Sequence, residues 1–379
     1  MIDADKYKTP GQFMEALLSE RGWTKRTLAI VLDVDESKIN RLTSDRQPIT
    51  AQMAVLLEEV FGVDANDFLA LQHRYELAVA RIESQPDPER STRAAIYGDL
   101  PISEMIKRGW LDASNIKDRE AVEASLHRFF GVNDLKNIEF LPHAAKRTEV
   151  SGDATPAQLA WIYRVRQIAS EMLVAPFTDR SVDAVINKLS KLLRSADEAR
   201  HVPRIMAEGG IRFLIVETLP VAKIDGVCFW LDEASPVIAL TTRFDRIDNF
   251  WFVLRHELEH VKLRHGQSRV MLDVDLTGDR AAASDAIVQE EREANLAAAD
   301  FCVPEKMMSA FVRKKSPFFA ERDLRGFART IQVHPGLVAG QLQHRTGDYR
   351  RFRNHLVPIR EIIAPGAVVD GWGDIYPTE

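Results

Sequence analysis

The pentapeptide at residues 256–260, which reads HELEH, contains two histidines and a glutamate at a spacing that suits metal chemistry. The residues around it, 248–263, repeat their apolar positions with the period of a helix, so we expect a helix there. His256 and His260 then lie one turn apart on one side, as two ligands of a single tetrahedral zinc ion (Zn2+) require. Glu257 falls between the histidines and the apolar stripe, where a carboxylate can take a proton from an activated water.

The second glutamate of the pentapeptide, Glu259, is a poor ligand candidate. It projects from the far side of the predicted helix, beside Arg255 and Lys262, which we expect to face solvent. Because a five-residue pattern also arises by chance, the alternative interpretation is a polar helix face with two ordinary histidines. A third ligand elsewhere in the chain would decide between the two.

A second run of helical periodicity, residues 286–302, supplies such a ligand. Glu291 lies on the inward face of this helix, among alanines, whereas Glu293 points away from it. A carboxylate on a packing face is costly unless it is paired or bound to a metal. We therefore predict Glu291 as the third zinc ligand and Asn295, one turn later, as a hydrogen-bond partner of the ligands. The alternative for Glu291 is a buried salt bridge, for instance with Arg325.

These residues resemble the ImmA/IrrE family of zinc metallopeptidases. The resemblance is carried by the HExxH pentapeptide and by residues 291–304, which contain Glu-x-Glu-Ala-Asn, two alanines and a closing proline, and it extends over about 155–347. Ala297 and Glu259 depart from the family pattern, which usually has phenylalanine and a small residue there. The resemblance implies an α+β zincin-like domain that hydrolyses peptide bonds, with zinc ligands His256, His260 and Glu291 and catalytic base Glu257.

No oxyanion stabiliser can be assigned from the sequence. Three residues have a suitable side chain, namely Tyr163, His265 and His334. Residues of these types are more often simply surface or packing residues.

The amino-terminal residues predict two short helices joined by a tight turn. Thr24 caps the first helix, Asp33 and Val34 make the turn, and Asp35 caps the second. Such a pair suits a helix-turn-helix, whose second helix enters the DNA major groove. The outward side chains that could contact base edges are Ser37, Lys38, Asn40 and Arg41, and those that could hold phosphates are Lys25, Arg26 and Arg46. A protein-binding helical hairpin is the alternative.

The same region resembles HigA-type antitoxins of the XRE helix-turn-helix family, from about Thr9 to Ala80. The similar segments are 22–29, 39–42 and 48–54. Two positions depart from the pattern: Lys25 replaces a glutamine, and Asp33 replaces the turn glycine. Aspartate tolerates the left-handed conformation, so we expect the turn to form.

The chain is long enough for several domains, since it has 379 residues. We predict an all-α helix-turn-helix domain at 1–85, a helical connector at 90–150, the α+β metallopeptidase domain at 155–350 and an irregular segment at 351–379. A polar, proline-rich stretch marks the first boundary. Thr155, a proline and a glutamine three residues after the threonine mark the start of the metallopeptidase domain.

Composition narrows the classes of function. Fifty basic and 56 acidic residues give a net charge of -6, so any DNA binding must be local. The two cysteines, Cys228 and Cys302, exclude a disulfide framework and a four-thiolate zinc site. The sequence shows neither a signal peptide nor a long apolar run, which predicts a cytoplasmic protein without a membrane segment.

Together these features predict a DNA-binding transcriptional regulator with a zinc-dependent endopeptidase domain. Its partners would be a palindromic operator, read by a homodimer, and a protein substrate in the form of a repressor or a toxin–antitoxin component. The alternative is an antitoxin or repressor that binds DNA and a partner protein, and whose zinc domain senses or scaffolds without proteolysis.

Overall fold

The computed structural model describes residues 4–84, 89–138, 154–220, 222–267, 270–274 and 285–370. The chain divides into two units, Met1–Arg90 and Ser91–Glu379. The described residues are mostly helical, with one small mixed sheet in the second unit. The expectation of a multidomain, largely helical chain with an α+β part is therefore confirmed at this level.

The described residues of the first unit form five α-helices around their own apolar core. Three begin at threonine caps, and the Thr24 hydroxyl, for example, accepts from the backbone N–H of Thr27 at 3.1 Å. The turn residue Asp33 adopts the left-handed conformation with φ of 52°, as expected. The helices are α1 (Pro10–Glu20), α2 (Lys25–Val31), α3 (Glu36–Thr43), α4 (Ala51–Phe61) and α5 (Ala65–Glu83).

The second unit surrounds the sheet with helices. Thr155 and Gln158 form the expected capping box at the start of one of them. The helices are α6 (Arg90–Asp99), α7 (Ile102–Lys107), α8 (Arg119–Phe130), α9 (Pro156–Glu171), α10 (Asp179–Ser190), α11 (Val202–Glu208), α12 (Ile247–Lys262), α13 (Asp285–Cys302), α14 (Glu305–Lys315), α15 (Glu321–Ile331), α16 (Pro335–Thr346) and α17 (Arg360–Ile363).

Within the described ranges the sheet has five strands in the order β4-β2-β3-β1-β5. β1 pairs in parallel with β3 and β5, whereas β2 pairs antiparallel with β3 and β4. In the register of β2 and β3, Cys228 lies opposite Ile238. The strands are β1 (Arg212–Val216), β2 (Ile224–Trp230), β3 (Pro236–Leu240), β4 (Met271–Val274) and β5 (Val368–Asp370).

Side chains alternate between the two faces of the sheet and build two separate cores. Phe213 and Ile215 of β1 belong to the core beneath α12, together with the fully buried Trp251. Leu214 and Val216 belong to the opposite core, together with Trp161 of α9. The helix that carries HExxH thus rests on one face of the sheet.

Two predicted segments differ in the structure from the sequence expectation. Residues 351–370 are not irregular, because they contain α17 and β5, which extends the sheet beside β1. The predicted connector supplies Ile96 and Leu126 to the same core as Trp161, so it packs on the sheet domain. Residues 139–150 of the connector and 371–379 of the last segment lie outside the described residues.

Among the helices of the described ranges, none combines the length and the apolar character needed to cross a bilayer.

Candidate metal centre

The two histidines of α12 lie together in the interior, as the helical spacing predicts. His256 and His260 are both completely buried. Their Nε2 atoms are 2.9 Å apart, and the rings meet edge to face with centroids 4.7 Å apart. Two imidazole nitrogens at this distance point at one common position.

Glu291 of α13 completes a triad around this position. One carboxylate oxygen, Oε2, is 3.5 Å from Nε2 of His256, and the other, Oε1, is 3.8 Å from Nε2 of His260. Glu291 is only 9% exposed. Within the described part of the chain, His256, His260 and Glu291 are the group of potential ligands whose atoms all lie within 4.8 Å of one another.

The triad fits a zinc ion in donor set and in size. Nitrogen and oxygen ligands at the usual zinc distances and a tetrahedral angle are about 3.3 Å apart. The observed separations, 2.9, 3.5 and 3.8 Å, bracket this value. Two histidines and one glutamate are a donor set found in catalytic zinc sites. Three protein ligands leave the fourth coordination position for water or substrate.

Both histidines have a further hydrogen-bond partner behind the triad. The Nδ1 atom of His256 lies 3.1 Å from Oδ1 of Asn295, the residue that the sequence singled out for this place. The Nδ1 atom of His260 lies 3.0 Å from Nδ1 of His265. A histidine that binds a metal through Nε2 carries its proton on Nδ1 and donates it to such a partner.

Glu257, the predicted base, is completely buried next to the sheet. Its carboxylate lies against Gly226 of β2, where an added Cβ would meet Oε1 of Glu257 at less than contact distance. Gly226 therefore provides the space that the carboxylate occupies. Sequence reasoning missed this glycine, because the contact joins residues of a strand and a helix that are 31 positions apart.

The expectation that Arg255 faces solvent is wrong. Arg255 is only 7% exposed, and its guanidinium lies 5.9 Å from the ring centroid of Phe301. Its Nη2 is 2.6 Å from Oε2 of Glu259, one turn along α12. The extra carboxylate that departs from the family pattern is thus engaged by Arg255, and Arg255 is buried because α13 covers that side of the helix.

Of the three residues considered for oxyanion stabilisation, His265 is the one that contacts the triad. Tyr163 packs edge to face on Phe130 in the core of the opposite sheet face. His334 caps α16, where its Nδ1 accepts from the backbone N–H of Gly336 at 3.1 Å.

The predicted DNA contacts lie on and around α2 and α3. Most of them are exposed, namely Arg26, Ser37, Asn40, Arg41 and Arg46, while Lys25 and Lys38 are partly exposed. Lys25 forms an ion pair with Glu15 at 2.6 Å, and Nε of Arg41 donates to Oε1 of Gln47 at 3.1 Å. Gln47 was not singled out from the sequence, because it follows α3 by several residues.

A comparison with protein families supports the identity of the sheet domain. Residues 210–359 match the peptidase M78 profile, described as an IrrE N-terminal-like domain. This range includes α12 and α13 and therefore the whole triad. The match indicates a metallopeptidase-type hydrolase domain, of a family whose members are typically zinc enzymes.

Curated relatives match shorter parts of the chain. Virulence-associated protein I of Dichelobacter nodosus is 35% identical over 77 residues, which are 20% of this chain and 71% of that protein. The HTH-type transcriptional regulator RamB of Mycobacterium tuberculosis, from strains CDC 1551 / Oshkosh and ATCC 25618 / H37Rv, is 36% identical over 58 residues. These are 15% of this chain and 12% of the regulator. The chain therefore belongs to the family of virulence-associated protein I through its 77-residue match, and it contains a domain of the IrrE N-terminal-like type.

Proposed function

We propose that the sheet domain is a zinc-dependent endopeptidase. The observation that carries this proposal is the buried triad of His256, His260 and Glu291, with the carboxylate of Glu257 buried on the same helix. Three protein ligands with a general base beside them form the constellation that metallopeptidases use to hydrolyse a peptide bond. The peptidase M78 match over the same residues supports it.

The residues have separate roles in this chemistry. His256, His260 and Glu291 would hold the zinc ion, with Asn295 fixing the ring of His256 through its Nδ1–H. A bound zinc ion polarises the scissile carbonyl and lowers the pKa of water. Glu257 takes the proton of the attacking water and delivers it to the leaving amine as the peptide bond breaks.

The environment of Glu257 suits a base that must hold one position. Its side chain is completely buried, and its Oε1 lies so close to Gly226 that even a Cβ there would overlap it. A carboxylate in such surroundings is pre-positioned, so less ordering is required as the reaction proceeds. Glu259 takes no part, because Arg255 engages it on another side of α12.

The experiment that tests this proposal is the variant Glu257→Gln. We expect it to retain wild-type zinc content and to lose cleavage of a proteome-derived peptide library, read by mass spectrometry of new termini. The loss should be at least about 10²-fold, the usual size of a general-base contribution. Wild-type cleavage by the variant would contradict the proposal, and a zinc-loaded wild-type protein without cleavage would favour the sensor or scaffold function.

We propose further that the first unit binds DNA, which makes the chain a transcriptional regulator of the XRE helix-turn-helix type. The support is the set of exposed polar side chains on α3, namely Ser37, Asn40 and Arg41, and the 58-residue match to an HTH-type transcriptional regulator. A dimer that reads a palindromic operator suits this class. The protein substrate of the endopeptidase would be a partner repressor or a toxin–antitoxin component.

DNA binding is tested by the double variant Asn40→Ala/Arg41→Ala. We expect it to lose discrimination between an operator selected from random duplexes and a scrambled duplex, while non-specific binding persists. Lys25→Ala should weaken binding to both duplexes alike, although its ion pair with Glu15 limits the effect. Equal discrimination by all variants would contradict the assignment of α3.

A further inference from the structure

We propose that His265 is a positioning residue for the metal centre, and that it orients His260 as a ligand by accepting a hydrogen bond from it. This inference rests on the proposed zinc site. His265 follows α12, and its Nδ1 lies 3.0 Å from Nδ1 of His260. It thus accepts from Nδ1 of His260 in the way that Asn295 accepts from Nδ1 of His256.

The tautomers of the two rings follow from the geometry. His260 directs Nε2 toward Glu291 and His256, so in the zinc-bound protein its Nε2 is the unprotonated nitrogen that holds the metal. Its proton then resides on Nδ1, which donates to His265. For His265 to accept at Nδ1, its own proton must reside on Nε2.

The far side of His265 favours this tautomer. Its Nε2 lies 4.0 Å from Oε1 of Glu290, the residue before the ligand Glu291 on α13. A carboxylate at this place favours a proton on Nε2 and thereby leaves Nδ1 free to accept. One carboxylate and two imidazoles therefore form a row that ends at the ligand His260, in the order Glu290, His265, His260.

The turn that carries His265 is held to the rest of the domain at several points. The indole N–H of Trp230, on β2, donates to the carbonyl of His265 at 3.0 Å. Gly266 has φ of 83°, and a Cβ there would lie 3.0 Å from the carbonyl oxygen of Cys228, so the turn touches the backbone of β2. Arg264 pairs with Asp179 at 2.6 Å and covers the Trp230 ring.

These contacts separate a positioning role from a ligand role. The contact is between the Nδ1 atoms, so His265 approaches His260 from the side opposite the triad. His265 is also partly exposed, with 16% of its side chain accessible, whereas both ligand histidines are completely buried. His265 consequently acts through His260.

The test compares two substitutions of His265. His265→Asn keeps an acceptor oxygen near the former Nδ1 position, and His265→Leu removes it. Zinc affinity is measured by competition with a chromophoric chelator. We expect His265→Leu to weaken zinc binding by about 10- to 100-fold, the usual effect of losing such a partner, and His265→Asn to restore most of it. His344→Leu, at an exposed position of α16, is the matched control and should bind zinc as wild type does.

A second measurement separates positioning from a general loss of structure. In the zinc-loaded protein labelled with 15N in its histidines, the chemical shift of the Nδ1–H proton of His260 reports its hydrogen bond. We expect a strongly hydrogen-bonded Nδ1–H in the wild type and in His265→Asn, and a weakly hydrogen-bonded, faster-exchanging one in His265→Leu.

Several results would overturn the inference. Equal zinc affinity of His265→Leu and wild type would do so, as would an affinity of His265→Asn no better than that of His265→Leu. An unchanged Nδ1–H chemical shift of His260 in zinc-loaded His265→Leu would also contradict it. Failure of the wild type to bind zinc would instead remove the proposed function, and the inference with it.

Discussion

Adding one methyl group at Gly226 should disable the proposed base without disturbing the metal ligands. In Gly226→Ala the new Cβ would lie 2.9 Å from Cγ1 of Val253 and 3.1 Å from Cδ of Glu257, and nearer still to Oε1 of Glu257. Carbon atoms in ordinary contact are about 3.5–4.0 Å apart. The carboxylate must therefore move, because the backbone of β2 is fixed by pairing on both sides.

The expected effect follows from this displacement. A shift of the carboxylate by about 1 Å is enough to cost about 10²-fold in rate. This corresponds to about 2.7 kcal/mol of transition-state stabilisation. The overpacked site should also lose about 1–3 kcal/mol of stability, as overpacked cores do. Zinc content should stay at the wild-type level, since His256, His260 and Glu291 are untouched.

The assay is the rate of cleavage of a proteome-derived peptide library, with metal content measured on the same preparations. Gly326→Ala is the matched control, because a Cβ at this position of α15 meets nothing within 4 Å. It should keep full activity. Full activity and full zinc content in Gly226→Ala would refute the reasoning that Gly226 holds the space of the Glu257 carboxylate.

Three further predictions concern stability and DNA recognition. Glu259→Ala should lower the free energy of unfolding in urea by about 3 kcal/mol, because it leaves the buried Arg255 without its ion pair. A decrease below about 0.5 kcal/mol, as for an ordinary surface substitution, would contradict this. Arg41→Ala should reduce the difference in binding free energy between a selected operator and a scrambled duplex by about 1–3 kcal/mol, with both measured at one salt concentration. An unchanged ratio of the two dissociation constants would contradict this. Burial, with the nearby His355, lowers the pKa of His334. Its contribution to stability is therefore complete above about pH 6.5 and lost as the pH falls through the lowered pKa. His334→Asn should keep the helix cap and reduce this loss in unfolding measured across pH, and an unchanged pH profile would contradict it.

Several features of the structure could be predicted from local patterns in the sequence. The period of α12 was readable because its apolar positions repeat over four turns, and this placed His256 and His260 on one side. The capping box at Thr155 was readable from four residues. Glu291 was found by the same logic, since a carboxylate among alanines on a packing face needs a partner.

Features that depend on contacts between distant segments were not readable. β5 has three residues and gains its stability from pairing with β1, more than 150 positions earlier. The burial of Arg255 depends on the approach of α13, which no period of α12 reveals. Gly226 has a function only because Glu257 packs against it. His265 was noticed for its type, but its contact with His260 arises from a turn held by the sheet.

Zinc content per chain is the measurement that tests the central claim most directly. It should be made on protein purified without added metal, for the wild type, for Glu291→Ala and for Glu293→Ala, whose exposed side chain on the same helix makes it the matched control. We predict about one zinc ion per chain in the wild type and in Glu293→Ala, and far less in Glu291→Ala. Loss of the carboxylate leaves only two protein ligands, which bind zinc weakly. Equal zinc in all three proteins, or no zinc in the wild type, would contradict the account.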